Sequence, residues 1–423
     1  MPNMTLGCTL LPLALAGLVA TAQGQRPSAP SGLPSAPASP STRTPPEGTP
    51  AAAPTDARPL PERLPAILEE IRARDGLPAL AALVLRNGAV VAEASSGRRC
   101  ADCETPVGAS DLWHLGSCTK AITATLVAVL VQEGLLSWEM TLAKAFPDWA
   151  ERMKPEYREV TLRDLLRMRG GVPGGGPPEA WARAWSMDGT PTEQRRRYCE
   201  AVLREQAPGP QGQMQYSNEA YAIAGLICET VAGMPYEELV RTRIAVPLGL
   251  TSLGFGAPGA VEEPCTPTQP CGHRTDGSCV KPSPMADNPP ALSPAGRAHM
   301  TLRDWATFVQ AHLRGEREGI PALKLQAAAV QALHDPGTGP GTPYAGGWLV
   351  RPHPRLGRER PTLWHNGSNT MWYVEALLSP EQDLAILVAC NSGSDGAKSS
   401  VREVLRRLAE EAAPAARGVS SAP

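Results

Sequence analysis

Ser117-Cys118-Thr119-Lys120-Ala121-Ile122-Thr123-Ala124-Thr125-Leu126-Val127-Ala128-Val129-Leu130-Val131-Gln132-Glu133-Gly134 decides how the rest of the chain is read. Ala121, Ile122, Thr125, Leu126, Val129 and Leu130 recur at helical spacing and form an apolar face. The pattern predicts a long helix from Ser117 to about Glu133, stopped by Gly134. Ser117 opens that helix, where backbone N–H groups favour a developing anion. Lys120, three residues on, falls on the same face within reach of the hydroxyl. A serine hydroxyl is a weak nucleophile until a base takes its proton. A lysine whose pKa is lowered by burial can be that base. The Ser-x-x-Lys pattern alone is weak, because Ser278-Cys279-Val280-Lys281 repeats it in a Pro- and Cys-rich stretch with no helix behind it. The following helix selects Ser117.

N-terminal to this stretch, Leu64, Ile67, Leu68 and Ile71 mark an amphipathic helix. Leu80–Leu85 and Ala89–Ala92 flank Asn87-Gly88, the strongest short hairpin signal. C-terminal to it, residues 160–315 read as mostly helical with long loops. Trp348–Val350, Trp372–Leu378 and Leu384–Ala389 read as returning strands. The expected fold is α+β: an antiparallel sheet flanked by helices, its strands drawn from both ends of the chain, with a helical lobe between them.

Two further motifs accompany the first. Tyr216-Ser217-Asn218 precedes a helix carrying Tyr221, Ile223, Leu226 and Ile227. Tyr216 can shuttle a proton, and Asn218 can hold Lys120 and a substrate amide. Taken alone, Ser217 or Asn218 is more simply a helix cap. Trp364-His365-Asn366-Gly367-Ser368 stands ahead of the Trp372–Leu378 strand. Taken alone, His365 is a structural or surface histidine, and Gly367 lets a substrate backbone lie close to the strand.

The order and separations of the three motifs resemble the serine β-lactamase, penicillin-binding-protein, D-alanyl-D-alanine carboxypeptidase and family VIII esterase superfamily. The likeness extends to Val160–Leu166 before Gly170-Gly171-Val172-Pro173, to Glu237–Leu239 through Pro247–Thr251, and to the strand pair ending at Asn391, spanning about residues 62–410. The resemblance implies the β-lactamase/transpeptidase-like fold. It also implies an exported serine hydrolase that forms an acyl-enzyme on an amide or ester, with a D-alanyl peptide or ester favoured over a β-lactam. Ser117 would be the nucleophile, with Lys120 and Tyr216 sharing the acid–base role beside Asn218. His365 would help poise Tyr216 or pair with a substrate carboxylate. Asn366 and Gly367 would line the substrate, and the N–H groups of Ser117 and Ser368 would form the oxyanion hole. The alternatives are a penicillin-binding sensor of the cell envelope that does not turn over, and a structural envelope protein. Two departures stand out. His365-Asn366-Gly367 replaces the Lys-Thr-Gly of most β-lactamases of the most similar class, and Met168-Arg169-Gly170 replaces the usual small hydroxyl residues.

Composition sets the boundaries. Forty Lys+Arg nearly balance 42 Asp+Glu, so no field of one sign exists to hold nucleic acid or an anionic membrane. Residues 1–22 read as a secretory signal, with an apolar run from Leu6 to Val19 and Ala20-Thr21-Ala22 as the cleavage site. Residues 23–59 hold ten prolines and no aromatic residue, and read as a disordered linker. The catalytic domain is expected over 60–411 and a disordered tail over 412–423. The mature chain would be periplasmic, secreted or associated with the envelope, and would act as a monomer on a small-molecule or peptide substrate such as cell-wall peptide. No transmembrane segment is expected after signal removal. No cofactor or metal is required, since neither HExxH nor G-x-S-x-G occurs. Cys100 and Cys103 form one group, and Cys265, Cys271 and Cys279 another that contains His273. Disulfides are the plainer reading and zinc the sharper one.

Overall fold

The computed structural model describes residues 58–262 and 266–412. The proposed signal, the linker up to residue 57 and the tail from 413 lie outside the described residues. Helix α1 spans Leu60–Arg74, followed by strands β1, Ala79–Arg86, and β2, Ala89–Gly97. Their turn places Asn87 at φ 51° and Gly88 at φ 79°. Both central residues of this tight hairpin therefore need the left-handed region that Asn and Gly tolerate.

Helix α2 runs from Thr119 to Gln132, preceded by one 3₁₀ turn at Gly116–Cys118 that contains Ser117. Beyond its end, Leu135 N–H bonds Leu130 O at 2.9 Å, while Gly134 adopts φ 74°. The expectation of a single apolar face needs correction, because every residue from Thr119 to Leu130 is buried. The threonines make this possible. Thr125 donates to Ala121 O at 2.8 Å and Thr123 to Pro294 O at 2.6 Å, so neither hydroxyl is stranded. Ile122, Leu126, Val127 and Leu130 each contribute about 1.5–3 kcal/mol by burial, which fixes α2 at the centre of the domain.

The helical block includes α3, Asn218–Ala232, α4, Leu302–Glu318, and α5, Ala327–His334. The chain then returns through β3, Tyr344–Ala345, β4, Trp348–His353, β5, Gly357–Ser368, β6, Tyr373–Ser379, and β7, Leu384–Cys390. It ends in α6, Asp395–Ala412. The sheet order is β3-β4-β5-β6-β7-β1-β2, all antiparallel, and the β1–β7 pair (Leu83 opposite Leu387) joins the two ends of the chain. The α+β arrangement is therefore as the sequence implied. Along β1, Ala79, Ala81, Leu83 and Leu85 face the α2 side, while Leu80, Ala82 and Val84 face α1 and α6. Burial on both faces explains why β1 is an unbroken apolar run. Strand β5 goes beyond the sequence reading, because its charged, proline-containing first half, 357–361, carries no strand pattern.

Candidate active site

The 3₁₀ turn and α2 put Ser117 and Lys120 one helical turn apart. Lys120 is fully buried, and its Nζ lies 3.1 Å from Ser117 Oγ, 2.7 Å from Asn218 Oδ1 and 2.7 Å from Ala295 O. Burial is the main cause that lowers the lysine pKa to about 7, against an opposing pull from Glu219. Two of the three neighbours, an amide oxygen and a backbone carbonyl, can only accept. A neutral amine gives its two N–H groups to them, and its lone pair then points at the Ser117 hydroxyl.

Ser217 caps α3: its Oγ accepts from Ala220 N–H at 3.0 Å and donates to Pro173 O at 2.7 Å. That leaves Asn218 free for Lys120, so capping and chemistry fall to adjacent residues. Tyr216 hydrogen-bonds Ser117 through its hydroxyl, and its ring centroid lies 4.9 Å from Lys120 Nζ. The residue as a whole keeps 40% of its surface exposed, yet its inward-facing hydroxyl is desolvated enough to push the phenol pKa well up. The phenol therefore stays protonated near neutral pH.

His365 lies on β5, buried, beside this cluster. Its Nδ1 meets Asn366 O at 2.5 Å and its Nε2 meets Tyr344 O–H at 3.0 Å. Since a carbonyl only accepts, Nδ1 carries the proton and Nε2 accepts from Tyr344. Burial, then the nearby Lys120, lower its pKa to about 3. The expectation that His365 directly poises Tyr216 therefore needs revision: the two rings lie 6.3 Å apart, and both histidine nitrogens are occupied elsewhere. The titrating cation considered for a substrate carboxylate is disfavoured for the same reasons.

Strand β5 also presses against the nucleophile turn. A Cβ on Gly367 would stand 1.9 Å from Leu115 O and 3.0 Å from Ser117 N, and one on Gly116 (φ 48°) would stand 2.3 Å from Ser368 N. The backbone N–H groups of Ser117 and Ser368 thus lie on two segments that only glycine lets approach so closely. Gly367→Ala is expected to slow acylation about a hundredfold or more by pushing the two donors apart. An acylation rate within a few-fold of wild type would refute this close-approach account.

Sequence reading missed several supports. Ala295 O has no signature, since any residue supplies a carbonyl. Tyr344 is delivered by the Gly346-Gly347 turn, where a Cβ on Gly347 would come within 2.3 Å of Ala121 N. That glycine pair was the available signal. Behind the nucleophile, Gly116 N–H bonds His114 Nδ1 at 3.1 Å, and His114 Nε2 lies 2.9 Å from Asp287 Oδ1. Burial alone would raise the Asp287 pKa, but His114 and Arg297 hold it below the usual value. Arg169, noted as a departure, reaches Gly212 O at 2.6 Å and Pro340 O at 3.0 Å, tying together two loops at the pocket. The pocket encloses about 420 Å³ and is lined by Ser117, Met214, Tyr216, Thr342, Tyr344, Leu349, Trp364, His365, Asn366 and Ser368.

A serine, a buried lysine, a tyrosine and an asparagine set between an antiparallel sheet and a helical lobe define the β-lactamase/transpeptidase-like class of fold. The chain belongs to the beta-lactamase family, matching its family model over residues 64–411. It is 24% identical over 298 residues to the unguisins hydrolase ungD' of Aspergillus campestris, a match covering 68% of this chain and 54% of that protein. It is 21% identical over 344 residues to protein flp of Staphylococcus aureus, covering 79% of this chain and 64% of that one. The chain thus spans less than two thirds of the length of these curated relatives. Among solved structures, a class C beta-lactamase from Rhodobacter sphaeroides superposes with a TM-score of 0.63 at 21% identity, covering 81% of this chain and 98% of that one.

Proposed function

We propose that this chain is a serine hydrolase that cleaves an ester or amide through an acyl-enzyme on Ser117. The observation that carries the reading is the lone-pair geometry at Lys120: two obligate acceptors leave only Ser117 for the amine to take a proton from. In this reading Lys120 is the base in acylation. Tyr216, protonated, relays a proton to the leaving group. The N–H groups of Ser117 and Ser368 hold the developing oxyanion. Water then enters and the same groups act in reverse.

The pocket narrows the substrate class. None of the described residues lining it is Lys, Arg, Asp or Glu, and His365 is held neutral. A substrate carboxylate would find no fixed cation there, so uncharged esters and amides fit better than carboxylate-bearing ones. Given a carboxylate substrate and its methyl ester, the ratio of the two kcat/KM values is expected to stay flat from about pH 5 to 8, because His365 does not titrate in that range. A ratio that bends near pH 6.5 in wild type but stays flat in His365→Gln would show a protonatable His365 and reverse this preference.

Mass spectrometry with a fluorophosphonate, a penicillin and a p-nitrophenyl ester tests the whole reading. An adduct on Ser117, with turnover of the ester, is the expected result. A penicillin adduct that never clears, with no turnover of the ester, would favour the penicillin-binding sensor, and no adduct with any probe would remove the enzymatic reading. We further propose export, which rests on the Leu6–Val19 run and the small residues after it. Among the described residues no helix is long and apolar enough to cross a membrane.

A further inference from the structure

Two groups of cysteines, about 170 residues apart in sequence, meet beside the β5–β6 turn. In the 99–103 turn, Cys100 N–H donates to Cys103 Sγ at 3.0 Å, and the two thiols hydrogen-bond each other. Cys271 and Cys279 sit on the two arms of a short hairpin, Gly272–His273 paired with Cys279–Val280, and their thiols also hydrogen-bond. Cys271 N–H joins the hairpin to the first turn by donating to Arg99 O at 2.8 Å. The hairpin in turn seats the segment that follows the third motif. His273 N–H donates to Met371 O at 3.0 Å, and a Cβ on Gly272 would run into Trp372.

We propose that these four thiols are a disulfide-forming site, closing as Cys100–Cys103 and Cys271–Cys279, and that closure clamps the hairpin against Met371–Trp372. Each pair couples one half-buried residue with one buried residue: Cys103 with Cys100, and Cys279 with Cys271. A small disulfide such as oxidised glutathione reaches the outer sulfur first. Cys279 Sγ attacks it as its proton passes to the Cys271 sulfur it already donates to, expelling one glutathione thiolate and leaving a mixed disulfide. The Cys271 thiolate then attacks Cys279 Sγ and expels the second. The pair loses two electrons and two protons, and one oxidised glutathione becomes two reduced ones. The donated bond from Cys279 holds the Cys271 pKa below its ordinary value, which suits a resolving thiol.

A metal is the competing occupant, and two observations weigh against it. Among the described residues no three ligating side chains converge on a point where an ion could sit. His273 is also committed, its Nε2 accepting from Ala101 N–H at 3.0 Å and its Nδ1 bonding Asn391 O at 2.7 Å.

The test uses the full chain, equilibrated with oxidised glutathione, blocked with N-ethylmaleimide and digested without reduction. The expected map contains Cys100–Cys103 and Cys271–Cys279, while Cys118, Cys199, Cys228 and Cys390 are recovered as thiols. Reduction should lower the melting temperature by several degrees. Cys279→Ser should lose most of that redox dependence and Cys390→Ser should keep it. Free thiols at all four positions, cross-pairing between the groups, a bridge to Cys265, or a stoichiometric zinc ion protecting the thiols would each overturn the proposal. The linkage map is read on the unmutated chain, so a variant that fails to fold does not spare it.

Discussion

Ser117→Ala is expected to abolish both acylation and turnover, with kcat/KM falling on the order of ten-thousandfold or more, while Ser278→Ala leaves both nearly intact. The two serines share the Ser-x-x-Lys spacing, and the fold separates them. Ser117 sits in a buried turn that feeds α2, with Lys120 Nζ 3.1 Å away and Tyr216 bonded to the same oxygen. Ser278 lies on the exposed tip of the cysteine hairpin, where its hydroxyl donates to Asp276 Oδ1 at 2.7 Å. A hydroxyl that donates to a carboxylate beside it has neither the base nor the oxyanion donors that acylation needs. Residual activity in Ser117→Ala comes at most from binding and the backbone donors. The ester assay and the mass of the adduct are read on both variants together. Loss of the adduct in Ser278→Ala with retention in Ser117→Ala would move the site to the hairpin.

Which parts of this site the sequence announces follows from what each part requires chemically. Asn87-Gly88 is legible because a two-residue hairpin demands positive φ, which few residues supply. The extent of α2 is legible from its period, but its burial on all sides is not. That burial depends on threonine hydroxyls finding carbonyls at Ala121 and Pro294, and one of those belongs to a distant segment. Asn218 is visible as a residue type, yet its role depends on Ser217 taking the cap. His365 shows the limit most clearly. Its position on β5 beside Lys120 suggests a cation, but whether it is charged depends on burial and on Tyr344, 21 residues upstream. Arg169 is visible only as a departure. Its reach to the carbonyls of Gly212 and Pro340 becomes apparent once the two pocket loops are placed.

Lys120→Ala and Tyr216→Phe are each expected to reduce kcat/KM by roughly a hundredfold or more, the scale for losing a positioned acid or base. The double variant should be little worse than the more damaged single one. Both side chains bond the same Ser117 oxygen, so either loss breaks one shared proton path, and effects within such a unit do not multiply. The pH profile separates their roles. Below pH 7 the lysine is an ammonium with no lone pair for Ser117, and above it the amine is free, so kcat/KM should rise through about 7. The phenol stays protonated across that range because burial raises its pKa. Tyr216→Phe should therefore keep the rising limb near 7 at a lower plateau, while Lys120→Ala should lose the limb. If the limb instead vanished in Tyr216→Phe and survived in Lys120→Ala, tyrosinate would be the base. If the two losses multiplied in the double variant, the two groups would serve separate steps, and the single proton path through Ser117 would have to be given up.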